Sequence, residues 1–343
     1  MNSEPTTHGL GVIPPTRYLD LMRFASMFFG CAAFVLAGCS ADSGADTDPN
    51  ASGPDAGTDA GTDARTDPGT DPGSDGGPPP ASGSDGCDAS SSPGTGTYFI
   101  DVNGTSREYR VSVPDGYDPT TEYELIFVWH GLGGSAAQTA NNFQGVGNHD
   151  DGSAIFVAGQ GLLHPNPLDP NAPPASGWPD ENGEDVDFVR DLLSELRSLY
   201  CIDDNRIFST GASYGGIMSN RLGCELGDDL RAIAPIMGSG PEGWYQDDCS
   251  LQYADASCTG EVAAWITHGS ADTTVRFCQG EKSRDYWVDA NSCTSDTTGI
   301  GPENCVEYTG CDPGYPVVWC PTDLGHRSPG FSGEEIWKFF SRF

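Results

Sequence analysis

The sequence contains few basic side chains. Of its 343 residues, 16 are Lys or Arg and 50 are Asp or Glu, so the formal net charge is −34. A phosphate backbone is bound by Lys and Arg side chains that replace its counterions, so this shortage argues against nucleic acid as a partner. Part of the negative charge comes from residues 40–86, which contain ten Asp, no Glu and one basic residue, Arg65. The charge therefore says more about solubility than about the substrate.

Cysteine pairs with the CxxC spacing are absent, although the chain has 12 cysteines. Zinc sites are typically built from such pairs or from neighbouring histidines, so no metal site is predicted. Ten of the cysteines lie from Cys87 to Cys320, an even number that fits five disulfides in an oxidising compartment. The spacing alone leaves their pairing open.

A long apolar run is also lacking. The apolar run within residues 22–39 covers roughly fourteen residues, too few to span about 30 Å of hydrocarbon comfortably. It follows Arg23 and ends in Leu36-Ala37-Gly38-Cys39. That ending resembles the lipobox of bacterial lipoproteins, in which the cysteine becomes the lipidated first residue. We therefore expect residues 1–39 to be a signal peptide and Cys39 to carry a membrane anchor, with an ordinary cleaved signal peptide as the alternative.

Aromatic and large aliphatic side chains are missing from residues 40–86, which consist mainly of Asp, Thr, Gly, Ala, Ser and Pro. Such a segment cannot bury enough apolar surface to offset the entropy of the chain. We expect a disordered linker, extended by repulsion between its Asp residues, that holds the next domain away from the membrane. The protein is accordingly expected to be exported, either as a lipoprotein of the cell envelope or as an extracellular protein.

Residues 87–343 alternate between strand and helix patterns and are predicted to form one domain. An antiparallel hairpin at Asn103-Gly104, followed by β–α alternation, is typical of the α/β-hydrolase fold. We expect a mostly parallel, disulfide-bonded, eight-stranded sheet with helices on both faces. The predicted strands are Tyr98–Val102, Glu108–Val113, Leu125–Trp129, Ile155–Ala158, Arg206–Thr210, Ala232–Met237, Val262–Thr267 and Pro316–Trp319, and the predicted helices are Asp185–Leu199, Tyr214–Cys224 and Ser332–Arg342.

The segment Gly211-Ala212-Ser213-Tyr214-Gly215 matches the GxSxG pattern. The pattern is weak by itself because glycine is common in this chain, but a strand is predicted before it and a helix after it. This context places Ser213 on the sharp turn that carries the nucleophile of the α/β-hydrolase fold. The flanking glycines permit the strained backbone, and the helix presents its positive end to a developing oxyanion. The sequence therefore predicts Ser213 as a nucleophile.

In this fold the acid and then the histidine follow the nucleophile along the chain. The histidines after Ser213 are His268 and His326. Asp272 stands just past a predicted strand, and because His268 precedes it, the order assigns His268 a structural role and His326 the role of general base. Acyl transfer by these three side chains needs no cofactor, and none is predicted. The alternative candidates for the acid are Asp296 and Asp323.

The segment His130-Gly131-Leu132-Gly133-Gly134 follows a predicted strand at the position that supplies the first oxyanion donor of this fold. The backbone N–H groups of Leu132 and Tyr214 are predicted as the two donors. His130 precedes the nucleophile and is interpreted as a group that shapes the loop. Trp178 and Trp319 are predicted to contact substrate, with plain packing as the alternative.

Six short motifs lie in order along the predicted domain: Gly177-Trp178, Asp185–Val189, Cys201–Asp203, Arg206–Phe208, Gly211–Gly216 and His268–Asp272. Together they resemble feruloyl esterases of types C and D in the first carbohydrate-esterase family. The resemblance implies hydrolysis of hydroxycinnamoyl esters on plant cell-wall polysaccharide through an acyl-enzyme. Polyhydroxybutyrate depolymerases and acetylxylan esterases are similar relatives, so polyester and acetylated xylan are alternative substrates. Tyr214 favours the feruloyl esterases, because the depolymerases tend to carry Ala there.

Two other classes of function stay open at this point. A surface binding protein would keep the hydrolase fold without catalysis, and a secreted peptidase would use the same three side chains. The complete set of Ser213, Asp272 and His326 in the required order weighs against a binding protein. A fluorophosphonate probe, which labels only an activated serine, distinguishes the binding protein from the enzymes.

Overall fold

The computed structural model describes the carboxyl-terminal three quarters of the chain. The described residues are 83–343, apart from 242, 246–247, 255–257 and 259. The predicted signal peptide, the predicted lipidation site Cys39 and residues 40–82 of the predicted linker lie outside the described residues. Within the described part, none of the helices is long and apolar enough to cross a bilayer.

Residues 83–86, which the sequence assigned to the linker, pack against the domain. The hydroxyl of Ser84 donates to the carbonyl oxygen of Tyr200 at 2.6 Å and accepts from the N–H of Ile202 at 2.9 Å. A disulfide joins Cys87 to Cys201 immediately beside these bonds. Residues just before the predicted border therefore contact the domain, although Gly and Ser gave no apolar signal there.

Most strands of the described residues form one sheet. The strands are β1 (Gly96–Val102), β2 (Thr105–Ser112), β3 (Tyr123–Trp129), β4 (Ala154–Gly159), β5 (Leu162–His164), β6 (Ala175–Gly177), β7 (Ile202–Ala212), β8 (Ala232–Ile236), β9 (Gly243–Tyr245), β10 (Leu251–Ala254), β11 (Ala263–Gly269), β12 (Thr297–Gly299), β13 (Val306–Tyr308) and β14 (Val317–Thr322).

The six central strands of the sheet run parallel in the order β4-β3-β7-β8-β11-β14. Beyond β4 the sheet continues with β2 and then β1, and beyond β14 it continues with β13 and then β12, all of them antiparallel to their neighbours. Two separate hairpins pair β5 with β6 and β9 with β10.

All eight predicted strands are present, but the predicted width of the sheet was two strands too small. The additional strands, β12 and β13, have three residues each and none of these residues is buried. Strands of this kind lack the apolar alternation by which a sequence reveals a strand. The predicted hairpin is confirmed, because β1 and β2 join at Asn103 and Gly104, whose φ angles are 52° and 83°.

Helices cover both faces of the sheet, as predicted. The side chains of β3 alternate between the two apolar clusters, since successive residues of a strand point to opposite faces. The helices are α1 (Ala136–Thr139), α2 (Glu184–Leu199), α3 (Tyr214–Glu225), α4 (Phe277–Ala290) and α5 (Ser332–Phe340), with 3₁₀ segments at Phe143–Asn148 and Glu181–Gly183. Leu125 and Phe127 belong to the cluster that packs against α2, α3 and α4, whereas Ile126 and Val128 belong to the cluster that packs against α1 and α5.

The sequence did not predict α4. The face that this helix buries consists of Gly280, Ser283 and Trp287, of which only the last is large and apolar. A helix with so little apolar surface toward the sheet has no clear helical periodicity in its sequence.

The ten cysteines of the domain form five disulfides within the described residues, as predicted. These bonds fit an exported protein, because disulfides persist in oxidising compartments. One of them, between Cys305 and Cys320, ties β14 to the residue just before β13. The pairs are Cys87–Cys201, Cys224–Cys258, Cys249–Cys278, Cys293–Cys311 and Cys305–Cys320.

Candidate active site

The predicted site residues follow the ends of four parallel strands. The segment from His130 follows β3, Ser213 follows β7, Asp272 lies three residues beyond β11, and His326 lies four residues beyond β14. The carboxyl ends of parallel strands share one edge of a sheet, and ligand sites of α/β folds lie at that edge. The topology therefore brings these distant segments together.

Ser213 forms the turn between β7 and α3. Its backbone angles are φ 60° and ψ −120°, in a region that is costly for a residue with a side chain. The turn is held by the Ser213 N–H, which donates to the carbonyl oxygen of Ile236 at 2.9 Å. Gly215 lies so close to the carbonyl of Trp129 that any side-chain carbon there would collide with it. The strand–turn–helix context expected for a nucleophile is present.

The structure brings Ser213, His326 and Asp272 into one hydrogen-bonded chain. Nε2 of His326 lies 2.8 Å from Oγ of Ser213, and Nδ1 of the same ring lies 2.7 Å from Oδ2 of Asp272. The side chain of Asp272 is fully buried, whereas that of His326 is 24% exposed. This geometry lets the imidazole accept the hydroxyl proton while the carboxylate fixes the ring and stabilises its charged form.

The carboxylate of Asp272 is oriented by the backbone that follows it. Its Oδ1 accepts hydrogen bonds from the N–H groups of Thr274 at 2.8 Å and Val275 at 3.1 Å. These two bonds hold the buried carboxylate in the orientation in which Oδ2 reaches His326. Asp296 and Asp323, the alternative candidates for the acid, are exposed.

The predicted oxyanion donors lie on two sides of the nucleophile. A side-chain carbon on Gly131 would lie 3.5 Å from Cβ of Ser213, so the loop that contains Leu132 runs directly past the serine. The N–H of Gly133 donates to Ser176, whereas that of Leu132 makes no hydrogen bond with any described residue. Tyr214 is the first residue of α3, whose positive end faces the same region.

His130 holds the glycine-rich loop in position. Its Nε2 accepts from the N–H of Gly161 at 3.0 Å, so the proton is on Nδ1, which lies 2.8 Å from the carbonyl oxygen of Gly131. Burial lowers the pKa of His130, which keeps this neutral form. The ring therefore acts through the backbone of the loop, as the sequence interpretation required.

The two tryptophans predicted to contact substrate, Trp178 and Trp319, are both buried and make packing contacts. Trp178 is 2% exposed, packs against Trp129 at a ring distance of 5.1 Å and donates its indole N–H to the carbonyl oxygen of His130. Trp319 is 6% exposed and packs against Phe277. Position near a predicted site does not tell whether an aromatic ring faces the solvent or the core, and here both face the core.

Sequence reasoning missed two glutamines beside the glycine-rich loop. The side-chain amide of Gln144 donates to the carbonyl oxygen of Trp129 at 2.6 Å, at the end of β3. Gln144 itself has a φ of 54°. The side chain of Gln160 accepts from the N–H of Ala136 at 3.0 Å, at the start of α1. No motif or periodicity marks either residue, because each acts by reaching a backbone group that is distant in sequence.

The fold and the arrangement of this site define the chain as an α/β-hydrolase with a Ser–His–Asp constellation. No family model matches the chain. It is 34% identical to feruloyl esterase D of Neurospora crassa over an alignment of 274 residues, and this alignment covers 72% of this chain and 86% of that protein. Its identity to feruloyl esterase C of Emericella nidulans is 29% over 270 residues, which covers 73% of this chain and 91% of that protein. The chain belongs to the feruloyl esterase family and is a carboxylic ester hydrolase.

Solved structures support the fold. An acetyl xylan esterase from Aspergillus awamori superposes with a TM-score of 0.53 at 13% identity, covering 71% of this chain and 99% of that one. A ferulic acid esterase superposes with a TM-score of 0.50 at 15% identity, covering 72% and 97%. The predicted α/β-hydrolase fold and the predicted family are confirmed.

Proposed function

We propose that this chain hydrolyses feruloyl and related hydroxycinnamoyl esters of plant cell-wall polysaccharide, with Ser213, His326 and Asp272 as its catalytic residues. The observation that carries the proposal is the identity of 34% across most of a protein named a feruloyl esterase. The hydrogen-bonded chain from Ser213 through His326 to Asp272 supplies the chemistry that such a reaction needs.

The first half of the reaction forms an acyl-enzyme. Nε2 of His326 takes the proton of Ser213 as the hydroxyl oxygen attacks the ester carbonyl carbon. Asp272 holds the ring in the tautomer that leaves Nε2 free to accept and stabilises the imidazolium that results. The imidazolium then gives its proton to the leaving alcohol oxygen of the sugar as the carbon–oxygen bond breaks. In the second half, water loses a proton to His326 and attacks the acyl carbon, and Ser213 is released with its proton restored.

Negative charge on the carbonyl oxygen develops in both halves. The backbone N–H groups of Leu132 and Tyr214 are proposed to bind this oxygen, since they flank Ser213 from the loop after β3 and from the start of α3. Each donor of this kind is typically worth about 3–4 kcal/mol in the transition state. Both donors are backbone groups, so they are fixed by the course of the chain and not by side-chain rotamers.

A substrate panel tests the choice of ester. We expect purified protein to hydrolyse methyl ferulate with a higher kcat/KM than acetylated xylan or short 3-hydroxybutyrate oligomers, measured by release of the free acids. A peptide amide of matching acyl group serves as the control for a peptidase. Preference for the acetyl or hydroxybutyryl ester would replace the proposed substrate and keep the mechanism. No turnover of any ester, together with no labelling by a fluorophosphonate, would support a binding protein.

We also propose that the protein is anchored to a membrane through lipid on Cys39. The support is the sequence Leu36-Ala37-Gly38-Cys39 at the end of an apolar run that follows a basic residue. In a bacterial host supplied with labelled palmitate, label on the protein and membrane-bound esterase activity are expected for the unaltered chain and for Cys31→Ser, whereas Cys39→Ser is expected to carry no label. Unlabelled, soluble protein in all three cases would indicate an ordinary cleaved signal peptide, and label on Cys39→Ser would exclude Cys39 as the attachment point.

A further inference from the structure

His268 is a fully buried histidine for which the mechanism so far has no role. It is the second-last residue of β11, four residues before Asp272. One side of its ring faces Gly280 of α4, where any side-chain carbon would collide with Nδ1. The other side faces the turn that follows β11. The ring therefore lies between a helix and the turn that carries Asp272.

The ring is hydrogen-bonded to that turn. Its Nε2 lies 2.8 Å from the carbonyl oxygen of Val275. A carbonyl oxygen only accepts, so Nε2 carries the proton and donates it. Nδ1 is buried and has no hydrogen-bond partner among the described residues. A proton on Nδ1 would be a buried donor without an acceptor, which is unfavourable, so the ring is neutral.

The Val275 peptide units connect this bond to the acid. The N–H of Val275 donates to Oδ1 of Asp272 at 3.1 Å, while its carbonyl accepts from His268. The N–H of Thr274 donates to the same carboxylate oxygen at 2.8 Å. The carboxylate of Asp272 thus binds N–H groups of the turn, and the imidazole of His268 binds a carbonyl of the same turn. Movement of the Val275 carbonyl would displace an N–H group that orients Asp272.

We propose that His268 is a positioning residue for the acid: its ring holds the Val275 carbonyl, and so keeps the turn in the conformation that aims the Asp272 carboxylate at His326. The inference rests on the roles proposed above for Asp272 and His326. His268 does not share the carboxylate with His326, because its Nε2 is 3.6 Å from Oδ2 whereas Nδ1 of His326 is 2.7 Å from the same atom.

The charges around the ring agree with this role. The titratable groups that act on His268 are Asp272, which raises its pKa, and His326, which lowers it. Burial is the largest influence and lowers the pKa of His268, so the ring stays neutral while His326 cycles between its two protonation states. A neutral ring at this place leaves His326 as the cationic partner of the carboxylate.

The test compares two substitutions of His268. His268→Leu replaces the imidazole with an apolar side chain of similar size that has no donor. His268→Gln keeps an N–H donor near the position of Nε2. For Leu we expect kcat to fall roughly 10- to 100-fold with little change in KM, because a misplaced carboxylate no longer holds the base in its productive orientation. The acid limb of the pH profile of kcat/KM is expected to move to lower pH, because a misoriented carboxylate stabilises a charged imidazole less. Gln is expected to restore most of kcat.

Ser283→Ala is the matched control. Ser283 is buried in α4, on the helix that packs against His268, and its hydroxyl donates to Oδ1 of Asn220 at 2.9 Å. Its substitution is expected to lower the thermal midpoint without moving the pH profile. A His268→Leu protein with a lowered midpoint, a normal kcat and an unmoved acid limb would overturn the inference and leave the proposed function standing.

If His268→Leu does not fold, His268→Asn replaces it. The amide of Asn lies near the position of Nδ1 and cannot reach the carbonyl of Val275, so we expect a lower kcat for Asn than for Gln. Equal kcat values for the two amides would overturn the inference. Failure of the proposed function is recognised separately, since the protein with His268 in place would then hydrolyse no ester or would prefer an acetyl or hydroxybutyryl ester to methyl ferulate.

Discussion

Replacing Ser213 with Ala is expected to lower kcat for an ester by roughly 10⁶-fold, while the protein remains folded. The hydroxyl is the group that attacks the carbonyl carbon in the proposed mechanism, and alanine has no atom that takes its place. The side chain is small and only partly buried, and its bond to His326 is partly buried as well, so its loss should affect packing little. The measurements are single-turnover and steady-state hydrolysis of methyl ferulate, with a thermal midpoint to establish folding.

Ser219→Ala provides the control for this substitution. Ser219 lies on α3, six residues from Ser213, and its fully buried hydroxyl is hydrogen-bonded to that of Ser209 at 3.2 Å. The same chemical change there is expected to affect stability by about 1 kcal/mol and to leave kcat and fluorophosphonate labelling unchanged. Esterase activity in Ser213→Ala at the level of Ser219→Ala would show that another residue is the nucleophile.

Replacing Asp272 with Asn is expected to lower kcat by about 10⁴-fold. An amide oriented by its oxygen toward Thr274 and Val275 would present its NH₂ group to His326. The ring then turns or changes tautomer, because two donors cannot face each other, and Nε2 no longer accepts the proton of Ser213. The change conserves volume, so most of the effect should fall on kcat. The rate of labelling by a fluorophosphonate should fall in parallel, since it depends on the same proton transfer.

The two alternative candidates for the acid, Asp296 and Asp323, serve as controls. Asp296 and Asp323 are both exposed, so Asp296→Asn and Asp323→Asn are expected to keep kcat within about twofold and stability within about 0.5 kcal/mol of the unaltered protein. Asp323 is informative because it lies three residues before His326. A large loss of kcat in Asp323→Asn with normal activity in Asp272→Asn would transfer the proposed role of the acid.

The central part of the fold was predictable because its strands are buried on both faces. In a strand such as β3 every residue is buried, and all but Glu124 are apolar or aromatic. The triad candidates followed from the GxSxG context of Ser213, from the place of Asp272 after a predicted strand, and from the order of the chain, since two histidines follow Ser213. The parts that sequence missed share a different property. β12 and β13 lie at one edge of the sheet without a buried residue, and Trp287 is the one large apolar residue that α4 fully buries, so nothing in these elements repeats with the period of a strand or helix.

The supporting contacts of the site were predictable to a smaller extent. Gln144, Gln160 and the turn after Asp272 act through backbone groups, and a backbone group leaves no trace in the sequence. The burial of Trp178 and Trp319 could not be predicted for a related reason, and their contact with substrate stays a prediction. Burial of an aromatic ring depends on which neighbours cover it, and here Trp129 and Phe277 do so.

Both ends of the described chain lie far from the mouth of the site. Ser84 is bonded to Ile202 at the first residue of β7, whereas Ser213 follows the last residue of that strand. The ring of Phe343 stacks on Arg231, just before the first residue of β8, at the same far edge. A solid support or a fusion partner joined directly at either of these two residues would therefore lie on the side of the sheet away from Ser213.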